Sequence, residues 1–154
     1  MSKYILPTII FLILAVVASF LFSQRSPSKT ISIKIKDKNF NLEVAKTLTQ
    51  KAKGLGDRTE LCSNCGMIFL FSQDDIQSFW MKDTLITLDI IWVNSQGKVV
   101  YIATASPEPN TPNNQLKIYK NTEPAKYVIE LNPGISEKIG LHIGDHIELP
   151  NLND

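Results

Sequence analysis

The chain is poor in the side chains on which metal sites and nucleophilic catalysis draw. Its 154 residues include two histidines and two cysteines. A zinc site wants about four ligands, so it would need Cys62, Cys65, His142 and His146 brought together from across the domain. The histidines stand as H-x3-H, but Gly144 lies between them and no helix aligns their rings. Ile147 and Leu149 claim the inward face of the segment that follows. Neither a metal nor a cofactor is expected. Met67 and Met81 sit beside Phe69, Phe71 and Phe79 and read as core filling, not as the Met and His cluster that copper favours. There is no Ser-His-Asp pattern, no Gly-rich phosphate loop and no internal repeat. An excess of either charge is lacking as well. The chain has 16 Lys and Arg against 15 Asp and Glu, and setting Lys3 aside with the apolar leader leaves 15 against 15. Without a basic stripe for phosphate backbones, no nucleic-acid partner is expected.

What is present begins with Ile5–Phe22, a run without a charge. About 18 to 20 apolar residues at roughly 1.5 Å rise span a hydrocarbon core. Lys3 ahead of the run places the amino terminus in the cytoplasm and the rest of the chain outside. A cleaved signal peptide is the rival reading, with Val16-Val17-Ala18 as the cleavage site, although the apolar run continues to Phe22. The expected organisation is an anchor or signal segment over 1–23, a polar linker over 24–30, a β-rich domain over 31–150 and a tail over 151–154. The domain would be tethered to the membrane outside the cytoplasm, or secreted if the leader is removed.

Within the domain, Ile31–Ala45 alternates apolar and polar residues and predicts a half-exposed hairpin. Thr47 and Gln50 form a capping box for a short helix that Gly54 and Gly56 end. Met67–Phe71 and Lys126–Leu131 read as strands, Ile135–Ile139 as a single helical turn, and Asp145–Leu149 as a closing strand. Ser106–Gln115, rich in Pro and Asn, cannot be core. At the centre, Leu85–Val93 and Lys98–Ala103 are apolar on both faces and joined by Asn94-Ser95-Gln96-Gly97, as expected of a buried hairpin. Roughly seven short strands with one or two short helices predict an α+β, mainly β domain. Its sheet would be small, antiparallel and curled into a barrel or sandwich.

The string Phe79-Trp80-Met81-Lys82-Asp83-Thr84, followed by Leu88-Asp89, resembles the family known as domain of unknown function 192. The likeness extends from about Phe40 to Leu149 through Arg58, Gly66-Met67-Ile68-Phe69, Gly97-Lys98-Val99, Tyr127–Leu131 and Gly144-Asp145. The resemblance implies a small β-rich fold, often behind a signal or anchor segment in prokaryotes, and no established activity. The chain departs from the family pattern at Asp83, where Asn is usual, at Thr87 (Pro) and at Gly56 (Met), and in carrying Cys62 and Cys65 where cysteines are usually absent.

The candidate site is a polar cleft of Arg58, Trp80, Lys82, Asp83, Thr84, Asp89 and Glu130. Charged groups beside buried strands are costly unless answered. A structural reading pairs Arg58 with Asp89 or Glu130. A functional one makes Trp80 a stacking surface and gives Lys82 and Arg58 an anionic or sugar-like group to meet. The cleft then serves a binding or accessory module for a small-molecule, glycan or protein ligand. Two enzymatic alternatives remain beside it. Asp89 and Glu130 could act as acid and base in glycan cleavage if about 5–9.5 Å apart. Cys62-Ser63-Asn64-Cys65 could serve thiol oxidoreduction, or close a small structural disulfide.

Overall fold

The computed structural model describes residues 29–150. The anchor expected over 1–23, most of the linker and the four-residue tail lie outside the described residues. Among those described, no helix is long and apolar enough to cross a membrane.

The chain opens with a hairpin of β1 (Thr30–Ile35) and β2 (Lys38–Ala45), registered with Ile33 opposite Phe40. The alternation does what it predicts: Ile33, Ile35, Phe40, Leu42 and Val44 are buried in one apolar cluster. Helix α1 (Leu48–Lys53) follows. Its capping box is complete, because the Thr47 hydroxyl accepts from the Gln50 N–H at 3.2 Å and Gln50 Oε1 accepts from the Thr47 N–H at 2.9 Å. Gly54, at φ 49°, stops it. Then come β3 (Cys65–Asp75), β4 (Ser78–Phe79), β5 (Leu88–Val93), β6 (Val99–Ala105), β7 (Tyr119–Lys120), β8 (Ala125–Leu131) and the single-turn helix α2 (Ile135–Lys138).

Six strands form one sheet in the order β1-β2-β3-β8-β5-β6, while β4 and β7 pair separately. The sheet is mixed and open. β2 and β3 run parallel, and β1 and β6 are edges that do not meet. This corrects the expectation of a curled antiparallel sheet or barrel. The physical reason is the segment 46–64, which carries α1 and is long enough to return the chain for a parallel pairing; a tight turn could only have produced an antiparallel one.

β5 and β8, in the interior, are covered on both sides. One face sets Ile68, Ile91, Ile129 and Leu131 against Leu141 and Ile147. The other sets Phe69, Ile90, Trp92 and Val128 against Leu55, Met81 and Tyr119. Each large apolar side chain removed from water stabilises by roughly 1.5–3 kcal/mol, so a doubly covered sheet holds the fold without closing.

The segment expected as a last strand, Asp145–Leu149, is not one. It makes an isolated bridge between His146 and Lys98. Three backbone bonds at 2.8 Å, Gly144 N–H to Val99, Val99 N–H to Asp145 and Ile147 N–H to Gly97, fasten it at the turn end of β6. The close approach depends on Gly97, which sits at φ 82° and would place a Cβ 2.5 Å from the Ile147 carbonyl oxygen.

Gly66 has an equally strict role in β3. A Cβ there would meet the Glu130 carbonyl oxygen at 2.4 Å, with Leu131 and Leu42 side-chain carbons within 2.8 Å. Gly66→Ala is expected to destabilise the domain by about 1–3 kcal/mol through overpacking. Urea unfolding checks this, and an unchanged midpoint would contradict the packing described.

Candidate functional site

Alternation along β8 sends Tyr127, Ile129 and Leu131 to one face of the sheet, and Val128 and Glu130 to the other. Glu130 therefore lies in the core beside Phe69, opposite Met67 of β3 and Ile90 of β5. It is 5% exposed, and its Oε2 has no hydrogen-bond partner among the described residues. Burial pushes its carboxyl up to about 8, and the positive charge of Arg58 opposes that rise only in part.

Arg58 is committed elsewhere. Its two terminal nitrogens donate to the Glu43 carboxylate at 2.6 and 2.8 Å. Glu43 stands opposite Met67, in the same cross-strand row as Glu130. The expectation that Arg58 pairs with Asp89 or Glu130 is thus corrected: the guanidinium forms its fork with a carboxylate one strand further out.

Above Glu130 opens a cavity of about 310 Å³. Helix α1 supplies one wall, with Lys51 inside and Leu48, 85% exposed, at the mouth. β3 contributes Phe69 and Phe71, and β4 contributes Phe79. Phe79 packs edge-on against Phe69 at 4.9 Å, Phe71 at 6.4 Å and Trp92 at 5.9 Å, which fixes the aromatic floor. The opposite wall is the segment after β4, where Trp80, Lys82 and Thr84 all face the cavity. Met81, between them, turns into the core, whereas Phe79 lines the cavity with them. Trp80 is 50% exposed. The Thr84 hydroxyl donates to the Lys82 carbonyl at 3.3 Å and steadies this wall. Lys51 lies 4.2 Å from the centre of the Phe71 ring, and partial burial lowers its pKa.

The remaining candidates go elsewhere. Asp83 is exposed, at φ 53°, and its carbonyl accepts from the Asp57 N–H at 2.8 Å. A short polar side chain tolerates that left-handed backbone, so Asp83 serves the turn. Asp89 is 1% exposed on the sheet face opposite Glu130. It accepts from the Thr104 hydroxyl at 2.9 Å, the Gly134 N–H at 3.1 Å and the Ser136 N–H at 2.9 Å, so it caps the start of α2 from within β5. The register explains the separation: Asp89 pairs with Leu131 and Ile90 with Glu130, one residue out of step. The two carboxyls flank no common substrate position, which corrects the acid–base pair.

Cys62 and Cys65 are joined in a disulfide. The Asn132 side chain donates to the Cys62 carbonyl at 2.8 Å and holds the loop. Cys65 opens a strand instead of a helix, so no helix dipole is there to lower a thiol pKa. His146 Nε2 lies 2.6 Å from the Gln96 carbonyl, at the turn between β5 and β6. Among the described residues, no three His, Cys, Asp or Glu converge as a metal site.

Sequence reasoning missed Lys51, Phe71 and Phe79 as cavity residues. A signal was there: Leu48, Lys51, Ala52 and Leu55 recur at i, i+3, i+4 and i+7, and all four line the cavity. Asn121 was missed without any such signal. It is 2% exposed, accepts from the Gln77 N–H at 2.7 Å and donates to the Asp75 carbonyl at 3.1 Å, holding the connection between β3 and β4.

The model of the DUF192 family, described as "Uncharacterized ACR", matches residues 31–149. No curated protein matches the chain. Among solved structures, a "putative transcription regulator" from Sinorhizobium meliloti is similar with a TM-score of 0.70 and 26% identity, over 80% of this chain and 96% of that one. A protein of unknown function from Novosphingobium aromaticivorans is similar with a TM-score of 0.68 and 33% identity, over 82% of this chain and 89% of that one.

Two outcomes follow from the contrast between the carboxyls. Asp89→Ala strands three donors and is expected to cost about 3 kcal/mol or more, read as a lower urea midpoint. For Glu130 the folded pKa, about 8, lies above the ordinary value of 4.5. The folded state then holds a proton that the unfolded chain releases, so the contribution is full below about pH 4.5, falls as pH rises, and is lost above about 8. Glu130→Gln should remove this slope and be the more stable protein, relative to wild type, at alkaline pH. Parallel unfolding curves for the two proteins across that window would contradict the assignment.

Proposed function

We propose, for a chain that belongs to the DUF192 family, a binding role: a small-molecule site in a domain tethered outside the cytoplasm. The observation that carries this reading is an open cavity of about 310 Å³ whose lining includes the buried Glu130, a carboxyl with one oxygen that has no hydrogen-bond partner among the described residues. A buried acceptor or donor left unpaired costs about 1–3 kcal/mol, and a ligand that bonds the Glu130 carboxyl offsets part of that cost. Trp80 offers a flat, half-exposed ring at the mouth, and the cavity lies at the lower end of the roughly 300–1,000 Å³ typical of ligand pockets.

Catalysis is less well supported. Among the described residues, Glu130 is the one acidic side chain lining the cavity, and acid–base cleavage wants a second group across the reacting bond. Tethering draws on the uncharged run Ile5–Phe22 behind Lys3. An extracytoplasmic setting agrees with the Cys62–Cys65 disulfide, since such bonds persist in oxidising compartments. The regulator description of the Sinorhizobium protein is not carried over, because 16 basic against 15 acidic residues gives no support to nucleic-acid binding.

Trp80→Ala tests the reading. Compounds that stabilise the wild-type protein in a thermal-shift screen should bind at least tenfold more weakly to the variant. Its unliganded unfolding free energy should stay within about 0.5 kcal/mol of wild type, as for a surface substitution. Ligands bound equally by both proteins would place the site elsewhere.

A further inference from the structure

We propose that the cavity takes a small ring-bearing carboxylate, its ring against Trp80 and Phe79, its anion at Lys51 and Lys82, and a hydroxyl or carbonyl at Glu130. This rests on the binding reading above and adds the ligand's charge and its proton coupling.

The charge follows from which groups are already satisfied. Three lysines reach the cavity: Lys51, Lys53 and Lys82. Lys53 is paired with Asp57. Lys51 and Lys82 enter no salt bridge among the described residues. Both residues line a site in which Glu130 is the lone acid among the described residues, and this electrostatic imbalance favours an anion. The ring follows from the walls, since the aromatic residues Phe71, Phe79 and Trp80 line the cavity. The size follows from the volume, about 310 Å³, which suits one substituted ring.

Glu130 supplies the proton coupling. Burial keeps its carboxyl protonated at neutral pH, so it can donate an O–H to a ligand oxygen. On ionising above about 8 it loses that donor and repels an anion. The groups facing it are Arg58 with Glu43 from the β2 side, Lys51 and Lys53 from α1, and Lys82 and Thr84 from the segment after β4. Its strand neighbours Met67 and Ile90 carry no charge. An anion's affinity therefore falls with rising pH, and a cation's would rise.

The test is calorimetric titration of the full-length chain in detergent with four probes: para-hydroxybenzoate, glucuronate, phenol and tyramine. Para-hydroxybenzoate or glucuronate should bind, and about tenfold more weakly at about pH 9 than at about pH 7, the loss of the protonated form expected for a group titrating near 8. Glu130→Gln should flatten that step, and a step that persists in the variant would overturn the assignment of the coupled proton to Glu130. Lys51→Gln and Lys82→Gln should each weaken the carboxylate tenfold. Para-hydroxybenzoate alone would mark an aromatic acid as the source, and glucuronate alone a glycan. Tighter binding of phenol or tyramine, still lost in Trp80→Ala, would overturn the ligand class and leave the binding reading intact. Binding by none of the four would overturn both.

Discussion

β8 runs between β3 and β5 with apolar side chains packed on both its faces, and its alternation drives one carboxyl, that of Glu130, into the interior. Leaving a carboxylate ionised there would be expensive. A partner cation could have offset the cost, but the Arg58 fork is spent on Glu43. The interior answers by protonation instead, with the pKa carried up to about 8. Around that group the walls do not close, and α1, β3, β4 and the segment after β4 leave a cavity whose rim carries lysines. Fold and candidate site meet in this one side chain.

Asp89 shows how the same problem looks when it is solved structurally. It is as buried as Glu130 and lies on the strand next to it, yet two backbone N–H groups and a hydroxyl take up its oxygens. Its bonds fasten β5 to β6 and to the turn that starts α2. Nothing is left for it to do at a ligand. An unpaired oxygen sets Glu130 apart, and burial alone does not distinguish the two.

Local features were the legible part of the sequence. The β1–β2 hairpin, the capping box of Thr47 and Gln50 and the β5–β6 hairpin all depend on residues close in the chain. The string around Trp80 also carried the family. Sheet order was not legible, because alternation says which residues face inward and is silent on which strand lies next. The parallel β2–β3 pairing and the open edges therefore departed from the expected barrel. A one-residue difference in register put Asp89 and Glu130 on opposite faces, and no local pattern encodes that register. Arg58 was rightly seen as needing a carboxylate, but Glu43 reads as an ordinary exposed position of an alternating strand. Asp145–Leu149 looked like a strand from its apolar alternation and lacked a partner of matching length.

The central claim is that Glu130, in the lining of the cavity, is a neutral carboxylic acid at ordinary pH. Its most direct measurement is an isotope-edited NMR titration of the Glu130 carboxyl carbon. The account predicts a single transition near 8, far above the usual 4.5. A transition in the ordinary carboxylate range would contradict it, because the group would then be ionised and already answered within the protein.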